Sequence, residues 1–150
     1  MRHLTRITLA ALILTGVLTS TPTAHAQGQG ACSGWFSNVR HEMPLAKQQD
    51  HTKRTIACAV ALWPVPGGLD LALFIADRES HFDPEAYNPS GCAGVYQHKV
   101  SLWPGRLHWL HRDWFSDWAW DRGISPFNMR ANVLVTIRMA HSAGWAPWGM

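Results

Sequence analysis

Residues 70–84 read DLALFIADRESHFDP, an apolar run that ends on a carboxylate and is then cut by proline. Read as a helix from about Asp70 to Ser80, with roughly 100° of rotation per residue, it places Glu79 four positions after Ile75 and seven after Ala72, so Glu79 projects on their side. Arg78 turns one step away from that side and Asp77 further still. The carboxyl of Glu79 is therefore expected at the margin of the apolar face, at the helix end and beside the loop that follows. Burial at such a margin disfavours an ionised carboxylate. A carboxylic acid that keeps its proton near neutral pH can protonate a leaving oxygen. A solvated or salt-bridged carboxylate is the ordinary alternative, and the neighbouring sequence decides between the two.

Outward from this helix, the chain carries helical periodicity broken by Pro and Gly, with no clear alternating strand run. In DHTKRTIACAVALWP the apolar positions Ile56, Ala59, Val60 and Trp63 follow i, i+3, i+4, i+7, with Asp50 as the expected cap and Pro64 as the stop. WPVPGG makes a rigid turn, and Tyr87 to Gln97 reads as a loop with Gly91 and Gly94. Ser101 is the expected cap of a short helix containing Trp103 and Leu107, with Pro104 in its first turn. Trp114 and Trp118 are spaced to share a helical face. The last helix is the clearest: Ser125 as cap, Pro126 in the first turn, Met129, Val133, Ile137 and Ala140 on one face, and Gly144 as terminator. The fold class expected is mainly α, a single helical domain.

The first 26 residues predict a secretory signal peptide. Arg2 and Arg6 precede an apolar stretch from Ile7 to Leu18, and Ala24, His25, Ala26 give a small-x-small cleavage pattern. That stretch is shorter than the roughly 20 residues a membrane-spanning helix needs. The mature chain is thus expected to be secreted, extracellular or cell-wall associated, and free of the membrane. Cleavage leaves 124 of 150 residues, enough for one domain. It also removes two of 13 basic residues against 10 acidic ones, for a net charge of +1. With no basic cluster denser than Lys53, Arg54, nothing argues for nucleic acid. The mature part holds all nine tryptophans, far above ordinary usage. A monomer is expected.

Cys32, Cys58 and Cys92 are the three cysteines. An oxidising compartment favours one disulfide and one leftover thiol, with three pairings open. Cys58 with Cys92 is the preferred pair, because it would clip a glycine-flanked loop onto a helix for roughly 2 to 4 kcal/mol. The absence of a CxxC spacing speaks against zinc.

The text ESHFDPEAYNPSGCAGVYQ resembles the signature of the lysozyme-like lytic transglycosylases, of the soluble lytic transglycosylase type. That pattern is a Glu followed by Ser, an aromatic, Pro, an Asn-Pro-x-Gly-type loop and GxxQ. Glu79, Ser80, Phe82, Pro84, Asn88, Ser90, Gly91, Gly94 and Gln97 match in order. NMRANVLVTIRMAHSAGWAPW is similar to the family's final helix and Gly-Trp ending, so the resemblance runs from Trp63 to Trp148. It implies a lysozyme-like single helical domain with a substrate cleft, in which 63–150 is the catalytic core and 27–62 an N-terminal helical segment. It implies peptidoglycan glycan strands as substrate and no cofactor. Glu79 would protonate the oxygen between N-acetylmuramic acid and N-acetylglucosamine. It would then help the muramic 6-hydroxyl attack its own anomeric carbon, giving a 1,6-anhydro sugar without water. Ser80 would hydrogen-bond around the carboxyl or a sugar acetamido group, and Tyr96 and Gln97 would line the cleft with Asn88. Two departures stand out: the family's Gly-Leu-Met-Gln reads Gly94, Val95, Tyr96, Gln97, and its tyrosine motif before the last helix is missing, with Asn128 or Asn132 near that place.

Two other readings stay open. A lysozyme-type muramidase would need a second carboxylate, for which Asp83, Asp113, Asp117 and Asp121 are candidates, although capping or solvation is the ordinary role of each. A non-catalytic peptidoglycan-binding module is the other. His108 and His111 form HxxH without the Glu of a zinc hydrolase, so no metal is expected. Among the tryptophans, Trp63 and Trp145 are expected in the core, while Trp103 and Trp109 are the candidates for stacking on sugar faces.

Overall fold

A computed structural model of the chain describes residues 42–114 and 123–150, and side chains outside 109–114. The expected signal peptide, Cys32, the side chains of Trp109, His111, Asp113 and Trp114, and residues Asp117, Trp118 and Asp121 lie outside the described residues.

Within them the protein is mainly helical. The helices are α1 (Leu45–Leu62), α2 (Gly68–Ser80), α3 (Trp103–Trp114) and α4 (Met129–Ala143); a 3-10 turn at Val100–Leu102 leads into α3 and another at Ala146–Trp148 follows α4. Helix α1 packs against both α2 and α4, and α3 packs against α4. Among the described residues, no helix is long and apolar enough to cross a membrane.

Helix α1 begins five residues before the expected cap. Good helix formers occupy Leu45 to Gln49, Gln48 Nε2 donates back to the Met43 carbonyl at 2.8 Å, and Asp50 sits inside the helix, where it accepts from Arg54 Nε one turn later at 3.0 Å. Helix α4 starts later than expected. Asn128, not Ser125, is its cap, accepting from the Ala131 amide at 3.0 Å. Ser125 Oγ takes the Phe127 amide in the turn before it. The α4 face of Met129, Val133, Ile137 and Ala140 is fully buried as expected, but so are Leu134, Val135, Asn132 and Thr136. The helix is buried nearly all round, which a stripe of four residues understates. Glycine at 144 ends it with φ 74°.

The segment expected as a loop is a small antiparallel sheet. Strands β1 (Tyr87–Asn88), β2 (Cys92–Ala93) and β3 (His98–Lys99) pair in that order, with Asn88 opposite Cys92 and Ala93 opposite His98. Two-residue strands carry no alternation for a sequence to display. The sheet is pinned to α4 by Asn132, which lies fully buried. Its Oδ1 accepts from the Tyr96 amide at 2.9 Å, and its Nδ2 donates to the Ala93 and Pro126 carbonyls at 3.2 and 2.8 Å.

The expected Cys58–Cys92 pair is corrected. Cys92 is a free thiol on β2, so Cys58, which is disulfide-bonded, does not pair with it. The loop needs no covalent clip, because hydrogen bonds to Asn132 hold it. Cys92→Ser should therefore change stability by less than about 1 kcal/mol in urea denaturation, where loss of a native disulfide costs roughly 2 to 5 kcal/mol. A loss in that larger range would overturn the assignment.

Candidate active site

Helix α2 brings Glu79 to its last turn, and the chain then reverses through two non-glycine residues in the left-handed region, His81 (φ 53°) and Phe82 (φ 64°). Phe82 is buried and carries Lys53 Nζ 4.4 Å above its ring, packing that offsets the cost of the conformation. This reversal carries the chain into the sheet that follows Glu79. A cleft of about 290 Å³ lies there, lined by Glu79, Asn88, Cys92 and Gln97 and, from further along the chain, by Lys99, Arg106, Pro147 and Trp148.

Glu79 is one-quarter exposed, within the cleft and not in bulk water. Its surroundings are less apolar than expected. Helical rotation sets Arg78 on another side of the helix, yet its long side chain folds back so that Nη2 and Nε donate to Glu79 Oε1 at 2.6 and 3.2 Å. The same Nη2 also donates to the Trp148 carbonyl at 2.7 Å, tying the C-terminal turn to the end of α2. Both Arg78 contacts fall on Oε1. Oε2 has no hydrogen bond among the described residues.

The structure separates the other expected residues. Asn88 and Gln97 share the cleft with Glu79. Asn88 Oδ1 accepts from the Cys92 amide at 3.1 Å, and Gln97 Nε2 donates to the Ala86 and Gly94 carbonyls at 3.1 and 2.9 Å. Gln97 holds φ 49°, a strained conformation for a non-glycine residue, at the cleft wall. Ser80 does not reach the carboxyl: its Oγ donates to the Val95 carbonyl at 2.7 Å and fastens α2 to the sheet region. Tyr96 is fully buried, its hydroxyl donating to the Ala72 carbonyl at 3.0 Å and its ring packed against Trp145 and Trp148. In the turn between β2 and β3, Val95 and Tyr96 are both buried in the core, while Gln97 lines the cleft. Trp103 is also core, with its indole N–H donating to the Ile124 carbonyl at 2.6 Å, so no sugar can stack on it. Trp63 and Trp145 are buried as expected. Asp83 Oδ1 accepts from the Glu85 amide at 2.8 Å in a local turn, and Asp83 is not among the cleft's residues.

Sequence reasoning missed Arg106, Lys99, Pro147 and Trp148. Behind the cleft, Arg106 Nη1 donates to Nδ1 of the fully buried His98 at 2.6 Å, and His98 Nε2 lies 2.7 Å from Thr136 Oγ1. A guanidinium can only donate, so Nδ1 is the acceptor and the imidazole is the neutral tautomer with hydrogen on Nε2. Thr136 Oγ1 passes its own hydrogen to the Asn132 carbonyl at 2.9 Å. The rings of Trp103 and Trp148 meet His98 edge-on at 5.2 and 5.7 Å.

Burial first, and the Arg106 charge second, push the His98 imidazole down to about 3. The unfolded chain protonates this histidine near its ordinary value of about 6.5. Between those values the unfolded state binds one more proton, so this residue makes stability fall as pH falls from about 6.5 toward 3, by roughly 1 kcal/mol per pH unit. Melting temperature against pH should fall less steeply in this range for His98→Gln than for the wild type; parallel curves would count against the buried neutral imidazole.

No protein-family model, curated protein or solved structure matches the chain.

Proposed function

We propose that this protein is a peptidoglycan lytic transglycosylase of lysozyme-like fold, with Glu79 as the acid and then the base. The observation that carries the reading is the meeting of Glu79, Asn88 and Gln97, three residues of the 79–97 signature, on one cleft in which Oε2 of Glu79 is open. Oε2 would give its proton to the glycosidic oxygen as the bond to the muramic anomeric carbon breaks. The muramic 6-hydroxyl would then attack that carbon and return its proton to Glu79, closing the 1,6-anhydro ring.

Among the described cleft residues Glu79 is the single carboxylate. Asp83, one candidate second carboxylate, is held in a local turn away from the cleft, which supports one group acting twice over the two-carboxylate arrangement of a hydrolase. Mass spectrometry of cell walls digested with the protein tests the choice. Anhydro-muropeptides are expected; reducing-end muropeptides would indicate a muramidase, and an undigested wall a binding module.

A further inference from the structure

We infer that Arg106 and Lys99 form a carboxylate-binding subsite of the cleft, which recognises an acidic group carried by the glycan strand; naming the glycan rests on the function proposed above. Three observations lead there. The Glu79 charge is already met by Arg78, so Lys99 and Arg106 leave the cleft wall with two further positive charges. Arg106 is half-buried and has no carboxylate partner among the described residues. Removing a guanidinium from water without an anion is costly, and desolvation indeed holds Arg106 below its ordinary range.

The third observation is that Arg106 is held in place. Of its five N–H donors, one is committed to His98, and His98 is fixed in turn through Thr136 to the Asn132 carbonyl. A fork oriented by a fully buried chain of hydrogen bonds loses little freedom when it accepts a carboxylate in bidentate fashion. Lys99 adds a mobile second charge; its Nζ rests on the Ser90 carbonyl at 2.5 Å and keeps two donors for a ligand. Peptidoglycan offers carboxylates from two sources, the stem peptide and the lactyl ether of a muramic residue that has lost its peptide.

Calorimetric titration of the wild-type chain with three disaccharides tests the subsite without requiring cleavage. Diacetylchitobiose has no carboxylate, N-acetylglucosaminyl-N-acetylmuramic acid has the lactyl one, and its tripeptide derivative has those of the stem. At least one carboxylated ligand should bind about tenfold more tightly than chitobiose, equivalent to about 1.4 kcal/mol, and added salt should shrink the difference. The ligand with the gain identifies the source. Arg106→Gln should erase the gain, and Lys99→Gln, a substitution at an exposed residue, should reduce it. Equal affinity for all three ligands, an equal loss for all three in the variants, or no binding overturns the subsite. Failure of wall digestion alongside a preserved carboxylate preference would instead reject the proposed catalysis alone.

Discussion

Glu79→Gln should lower the release of muropeptides from cell walls by about 10²- to 10⁴-fold, the range a positioned general acid–base contributes. Glutamine keeps the length of the side chain and a carbonyl oxygen that can accept from Arg78, so the 2.6 Å contact to Nη2 has a successor. What disappears is the oxygen that exchanges a proton. The fold should survive, because the Arg78–Glu79 pair is part-exposed and such pairs are worth at most about 1 kcal/mol. Chromatography of digested walls gives the rate, and circular dichroism confirms folding. Asp83→Asn is the companion variant: its carboxylate serves a local turn to Glu85, so its rate should stay within about threefold of wild type. Undiminished release by Glu79→Gln would remove Glu79 from the chemistry. Equal losses in both variants would point to a second carboxylate and hydrolysis.

The helices were legible because each carries a period that burial imposes. Ile56 and Ala59 in α1, Ala72 and Ile75 in α2, and Val133 and Ile137 in α4 are all fully buried, and the stops at Trp63 and Gly144 follow from proline and glycine. Their starts were less legible, since Asp50 and Ser125 have the chemistry of caps but other residues took that place. The sheet left no sign, because its strands are two residues long. Glu79, Asn88 and Gln97, singled out from local sequence, line one cleft. The groups that complete the cleft come from afar. Trp148 is 69 positions from Glu79, and Arg106 arrives on a helix whose partner, His98, becomes visible as a neutral acceptor only once its burial is known. Tryptophan was the least informative residue type: Trp103 and Trp148 are both buried and both spend their indole N–H on a backbone carbonyl, and nothing in composition shows that Trp148 also borders the cleft.

The close contact between the β2–β3 turn and α4 permits the sharpest test of the architecture. Gly94→Ala should destabilise the protein by roughly 3 to 5 kcal/mol, within the range left for severe core lesions. Glycine at 94 has φ +75°, and a Cβ there would overlap the Asn132 side-chain nitrogen and the Pro126 carbonyl oxygen. The left-handed conformation alone costs an alanine roughly 1 to 2 kcal/mol. The overlap adds more, because Asn132 Nδ2 cannot retreat without giving up hydrogen bonds to Ala93 and Pro126 in a site with no water contact. The urea midpoint should fall with little change in slope. In an Asn132→Ala background one of the two obstructions is gone, so the same substitution at 94 should cost at least about 1 kcal/mol less, a coupling that a double-mutant cycle measures. Additive costs would mean that the glycine is required only for its backbone conformation, and that Asn132 does not set how closely the sheet approaches α4.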